Sequence, residues 1–138
     1  MNATEISSTA VLYHLEDGVE ESLTAALVRL GVTVYRMGAR HSPAQCVALA
    51  QQIDAEVIFC GDDRMQYRTL VEAAATHGSP AAVVVISRLP DTNDWLDALE
   101  AGVFDYCAAP FEAAQLRWLL ESARLRRRGA PSLTSQAA

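Results

Sequence analysis

Two short apolar runs, VIFC at 57–60 and AAVVVI at 81–86, constrain this 138-residue chain more than any other feature. Neither run alternates with polar residues. A strand with one wet face does alternate, because successive side chains point to opposite sides of a sheet. An unbroken run of this length fits a strand covered on both faces, as in a parallel sheet sandwiched by helices. AVLYHL at 10–15, VTVYRM at 32–37 and FDYC at 104–107 add three weaker strand expectations through their β-branched and aromatic content.

Helical patterns fill the intervals. Leu23, Leu27 and Leu30 recur at helical spacing, and Gly31 supplies a stop. In SPAQCVALAQQI, Ser42 is placed to cap, Pro43 takes the first helical position and Gln45 completes a capping box. Cys46, Leu49, Ala50 and Ile53 then share a face. TLVEAAATHG predicts a third helix ending at Gly78. DTNDWLDALEAG predicts a fourth, with Trp95, Ala98 and Leu99 inward and Gly102 as its stop. A last helix runs from about Phe111 to Arg128, with Leu116, Leu119, Leu120 and Ala123 on one stripe. Five strand–helix repeats with right-handed crossovers give an α/β doubly wound parallel sheet, and the order 2-1-3-4-5 is the common solution. Residues 9–128 form the expected domain. GAPSLTSQAA at 129–138 has no periodicity and reads as a tail or the start of a linker.

Composition narrows the function. A net charge of −6 speaks against nucleic-acid binding, which needs a basic footprint. All eleven basic residues are arginine, so any mechanism that needs a lysine is excluded. Arg117, Arg124, Arg126, Arg127 and Arg128 crowd the last helix, as a solvated face near a helix C-terminus or as a functional patch. The three cysteines, Cys46, Cys60 and Cys107, have no paired spacing, which suits buried reduced thiols in a cytoplasmic protein. No apolar run reaches membrane-spanning length, and the first residues lack the blocks of a signal peptide.

The final third carries a more specific pattern. VVVISR is followed by WLDALEAGVFDYCAAPFEAAQLRWLLESARLRRR. This resembles the receiver domain of bacterial two-component response regulators, which has the flavodoxin-like (CheY-like) fold. Ser87 matches the family's switch Thr/Ser, Ala98-Leu99-Glu100-Ala101-Gly102 its helix end, Phe104-Asp105-Tyr106 the following strand, and Pro110-Phe111 its Pro-Phe. The resemblance implies a cis bond between Ala109 and Pro110, and a switch aromatic at Tyr106.

The family's chemistry is Mg²⁺-assisted phosphoryl transfer to an aspartate. An acidic pair holds the metal, a strand-end aspartate is the nucleophile, and a lysine neutralises phosphoryl charge. The chain departs from that pattern. Ungapped, the acidic pair falls on His14 and Leu15, the nucleophile on Gly61 and the lysine on Ala109. Glu16 and Asp17 fit either a displaced metal-binding pair, with Asp62, or carboxylates at a helix N-terminus. Asp62 and Asp63 fit either a phosphoacceptor or cation site, or a polar loop opening the third helix. His14 suits a structural hydrogen bond better than a transition-metal site, and Cys60 a buried small apolar role better than a reactive one.

The expectation is therefore a pseudo-receiver of a phosphorelay, a signalling domain and not an enzyme, working without a cofactor. It would act on a protein partner: a histidine kinase, an output domain or a second copy. The expected face is helix 4, strand 5 and helix 5, with Tyr106, Trp118 and Arg124 as anchors and Asp91, Asp94, Asp97 and Glu100 pairing with helix-5 arginines of a second copy across a two-fold axis. One alternative is an atypical receiver phosphorylated on Asp62 or Asp63 with Mg²⁺ at Glu16 and Asp17. A distant one is a small-molecule binder at the sheet's C-terminal edge.

Overall fold

The two apolar runs do form buried central strands. In the computed structural model, which describes residues 8–38, 40–87 and 92–137, they become β3 (Val57–Cys60) and β4 (Ala82–Ser87). Every residue of both strands is buried. They lie inside a five-stranded parallel sheet of order β2-β1-β3-β4-β5, completed by β1 (Thr9–Tyr13), β2 (Thr33–Met37) and β5 (Asp105–Ala108). The register pairs Tyr13 with Cys60, Cys60 with Val85 and Val85 with Tyr106. The C-terminal strand ends therefore line up along one edge, where ligands bind in such sheets.

Helices α1 (Asp17–Arg29), α2 (Pro43–Gln52), α3 (Arg64–Thr76), α4 (Thr92–Ala101) and α5 (Ala113–Ala137) cover both faces. One core joins α1 and α5 to the sheet through Leu23, Leu27, Leu116, Leu119, Leu120 and Ala123 around Leu12 and Phe59. The other joins α2, α3 and α4 through Cys46, Val47, Leu70, Ala74 and Ala98 around Ile58 and Val85. On α2 the buried stripe is Cys46, Val47 and Ala50, with Leu49 and Ile53 only partly covered. The capping box forms as expected: Ser42 accepts from the Gln45 amide, and the Gln45 side chain accepts from the Ser42 amide. Gly102 ends α4 at φ +104°, a conformation open to glycine, and an added Cβ would stand 3.1 Å from Val71. The Ala109–Pro110 bond is cis, as the resemblance implied.

Two expectations need correction. Helix α3 begins at Arg64, five residues before Thr69, because Asp63 caps it through the Gln66 amide at 3.1 Å. Trp95 is 41% exposed, not inward. Helix α5 runs on to Ala137, into the stretch read as a tail or the start of a linker. Asp91 and Ala138 lie outside the described residues, and within the chain Asp97 pairs with Arg64 of α3.

All three cysteines are free and buried. Burial pushes the Cys46 and Cys107 thiols up to about 12, and Cys60 higher still. The fold thus favours the neutral thiol. That contribution is complete below the ordinary thiol range and is lost as pH rises toward the folded values. The urea midpoint is expected to be flat across neutral pH and to fall above about pH 9. Ellman's reagent at pH 7.5 should label no thiol until urea unfolds the chain.

Candidate functional site

At the C-terminal edge of the sheet, β1 and β3 stop and their loops diverge around an open cleft of about 300 Å³. Its walls are His14, Leu15, Glu16 and Val19 on one side, and Gly61, Asp62, Asp63, Gln66 and Ile86 on the other. His14 turns the chain out of β1 at φ +61° and stays tied to β2 by its amide, which donates to Met37 at 2.9 Å. The Gln66 side-chain amide nitrogen lies 3.0 Å from His14 Nδ1, where an unprotonated ring nitrogen accepts its proton. The Tyr13 ring meets the His14 ring edge-on at 5.6 Å. His14 is therefore a structural hydrogen-bonder bridging the two loops.

The carboxylates do not converge. Glu16 is the N-cap residue of α1 by position, without a side-chain cap bond, and Asp17 lies in the first helical turn. Asp63 is used as the cap of α3. Asp62, also on the cleft wall, accepts a hydrogen bond from the Ser87 hydroxyl at 2.9 Å. Among the described residues no three His, Cys, Asp or Glu side chains are arranged to hold a metal ion. The residues present do not fit the Mg²⁺ site that the resemblance implies.

Gly61 follows the last residue of β3 directly, in line with the strand ends. Its φ is not in the left-handed region, and a Cβ there would meet only the His14 carbonyl, at 3.4 Å. Neither backbone nor space demands glycine, so a side chain would fit where the strand-end nucleophile belongs. Ala109 brings only a methyl group to a neighbouring cavity it shares with Glu16, Gly18, Val19 and Ser22. Among the described residues the cleft thus has Glu16, Asp62 and Asp63 on its walls and no arginine. Charge of one sign in a concave site repels an anion of the same sign.

Ser87, the last residue of β4, is 2% exposed. Tyr106 is half-buried on β5, and its hydroxyl is buried without a hydrogen-bond partner among the described residues. Burial raises its pKa; the nearby Ser87 hydroxyl lowers it, and Asp62, Asp94 and Tyr67 raise it further. Trp118 is 61% exposed on the outer side of α5, and Arg126 stacks over the Phe104 ring at 5.3 Å.

Arg124, expected on the interaction face, is engaged within the chain. Its Nε donates to Glu56 at 3.1 Å and its Nη2 to Ser8 at 2.7 Å, while the Ser8 hydroxyl donates to Glu56 at 2.9 Å. Glu56 and Ser8 are both buried, next to the N-terminal ends of β3 and β1. Sequence reasoning missed this cluster, because its members lie up to 116 residues apart and leave no local pattern. Asp63 at the start of α3 takes the polar-loop role that was one of its two alternatives, capping the Gln66 amide three residues on.

No family model matches the sequence, and no curated protein matches it significantly. Solved structures do. The receiver domain of the putative response regulator NarL from Mycobacterium tuberculosis superposes with a TM-score of 0.69 at 17% identity, covering 86% of this chain and 97% of that one. A CheY-like protein from Pseudomonas aeruginosa, TadZ, gives 0.71 at 23% identity, with 85% and 99% covered. NtrX from Brucella abortus gives 0.73 at 15% identity, covering 96% of this chain and 30% of that longer one. The strand order, the five helices and these superpositions together establish the CheY-like receiver fold for this chain.

Proposed function

We propose that this domain is a pseudo-receiver, signalling through protein–protein contact and not through an aspartyl phosphate, in the cytoplasm. One observation carries the reading: among the described residues the cleft presents three carboxylates and no cationic side chain, with glycine at the strand-end position. Phosphoryl transfer depends on positive charge placed where negative charge develops. The competing reading, phosphorylation on Asp62 or Asp63 with Mg²⁺ at Glu16 and Asp17, meets a divided site. Asp63 caps α3, and Asp17 lies outside the cleft's walls.

The contact face in this reading is α4–β5–α5. It offers exposed Trp95, Leu96 and Trp118 beside half-buried Tyr106, the aromatic and aliphatic mix of interface anchors. Asp94 and Glu100 on α4 and Arg126 on α5 supply opposite charges for a two-fold arrangement. A second copy is the partner to test first; a histidine kinase or an output domain is the other kind of partner. Light scattering over a concentration series should show a dimer, weakened by salt and abolished by Trp118→Ala. A monomer at every concentration and salt contradicts self-association.

A further inference from the structure

We infer that Arg124 and Arg126 form a clamp that fixes helix α5, in tilt and in rotation, where it leaves the domain, and that Arg124 ties this exit to the chain at Ser8. The clamp stands at the edge of the sheet opposite the cleft. The inference therefore goes beyond the pseudo-receiver reading and does not depend on it.

The anchor is built into the sheet. Ser8 precedes β1 and Glu56 precedes β3, and both are buried. Their backbones belong to the ladder. The Thr33 amide donates to the Ser8 carbonyl at 3.0 Å, the Glu56 amide to Thr9 at 2.9 Å, and the Ala82 amide to Glu56 at 2.9 Å. The starts of β2, β1, β3 and β4 are thereby joined. Onto this edge Arg124 brings two donors, Nε to Glu56 and Nη2 to the Ser8 hydroxyl. The Ser8 hydroxyl donates in turn to Glu56, so the three side chains close a ring. A planar guanidinium that holds two partners at once fixes direction as well as distance.

Arg126 holds the other flank. Successive residues of a helix are rotated by about 100°, so Arg124 and Arg126 leave α5 about 200° apart. The buried stripe of Leu116, Leu120 and Ala123 lies between them, against the sheet. Arg126 sits over the ring of Phe104, whose own amide is tied to Val83 of β4 at 2.7 Å. Apolar burial is non-directional and lets a helix roll on its bed. A directed contact on each flank opposes rolling in both senses. Past Arg126 the helix continues to Ala137, about 16 Å further. The clamp makes this arm rigid with the sheet. A partner that draws Ser8 away from Arg124 opens one side of the clamp and frees the arm.

The test is residual dipolar couplings of backbone amides in weakly aligned ¹⁵N-labelled protein, which read the direction and rigidity of each element. In the wild type the couplings of residues 124–130 should fit the alignment of the sheet. The decisive variant combines Arg124→Ala with Glu56→Leu: the stranded carboxylate goes with the arginine, so the domain stays folded while the clamp is lost. Its couplings over 124–130 should fall to less than half their wild-type size, with those of the sheet unchanged. A cluster that only stabilised the fold would leave them in place. Arg126→Ala removes the other flank, leaves the buried ring intact and should shrink the same couplings, which keeps the test decisive if the double variant folds poorly. Full-sized couplings over 124–130 in either folded variant overturn the inference. So do wild-type couplings there that are already less than half of what the sheet's alignment requires. No phosphodonor and no partner is used, so a failure here is distinct from a failure of the pseudo-receiver reading.

Discussion

Arg124→Glu is expected to unfold the domain, not to weaken a surface. The substitution puts a second carboxylate beside Glu56, whose side chain is only 10% exposed, and removes two hydrogen bonds. Burying an uncompensated charge is among the few changes that cost more than about 4 kcal/mol, much of a domain's usual stability. Arg124→Ala should cost less, about 2–3 kcal/mol. The arginine side chain is itself 33% exposed, which screens part of the interaction. The source of the loss can be isolated. If the stranded Glu56 carboxylate is what costs, Glu56→Leu in the Arg124→Ala background should recover most of the stability. Urea unfolding of the three variants, followed by circular dichroism, is the measurement. An Arg124→Glu protein as stable as the wild type would show that the cluster is solvated and unimportant.

Phe59→Ala should be comparably damaging for a different reason. Phe59 has no exposed surface, lies on the central strand β3 and is among the largest fully buried side chains. It packs with Leu12, Leu23, Leu116 and Leu120 between the sheet and the α1–α5 layer. Truncation removes the transfer energy of the ring and leaves a cavity lined by side chains of three other elements, for a cost of about 3–5 kcal/mol. A midpoint of thermal unfolding lower by roughly 10 °C or more follows for a domain of this size. By contrast Trp118→Ala, on a residue of similar bulk but 61% exposed, should leave stability within about 0.5 kcal/mol. The pair separates core from contact face with one assay.

The sheet was legible because its signal is local and strong. VIFC and AAVVVI announce doubly covered strands by composition alone, and the capping box at Ser42 fixes a helix start within four residues. The C-terminal third was legible for the same reason: Gly102, Tyr106 and Pro110 stand at fixed short spacings along one strand–helix unit. Trp95 was misread because a helical wheel shows which residues share a face, not which of them the rest of the fold covers. The site was legible only in what it lacks. That Gly61 and Ala109 cannot serve as nucleophile and cation is plain from the residues. That Asp62 turns to Ser87, and that Asp63 caps α3, depends on the path of one loop. The Ser8–Glu56–Arg124 cluster joins the starts of two strands to the far end of the chain, and only the folded sheet brings them together.

The central claim is that the receiver fold is present and its phosphorylation chemistry is not. Intact-mass measurement after incubation with acetyl phosphate and Mg²⁺ tests it most directly. The account predicts an unchanged mass for the wild-type chain. A phosphate adduct on the wild type that disappears in Asp62→Asn would contradict it and establish Asp62 as a phosphoacceptor.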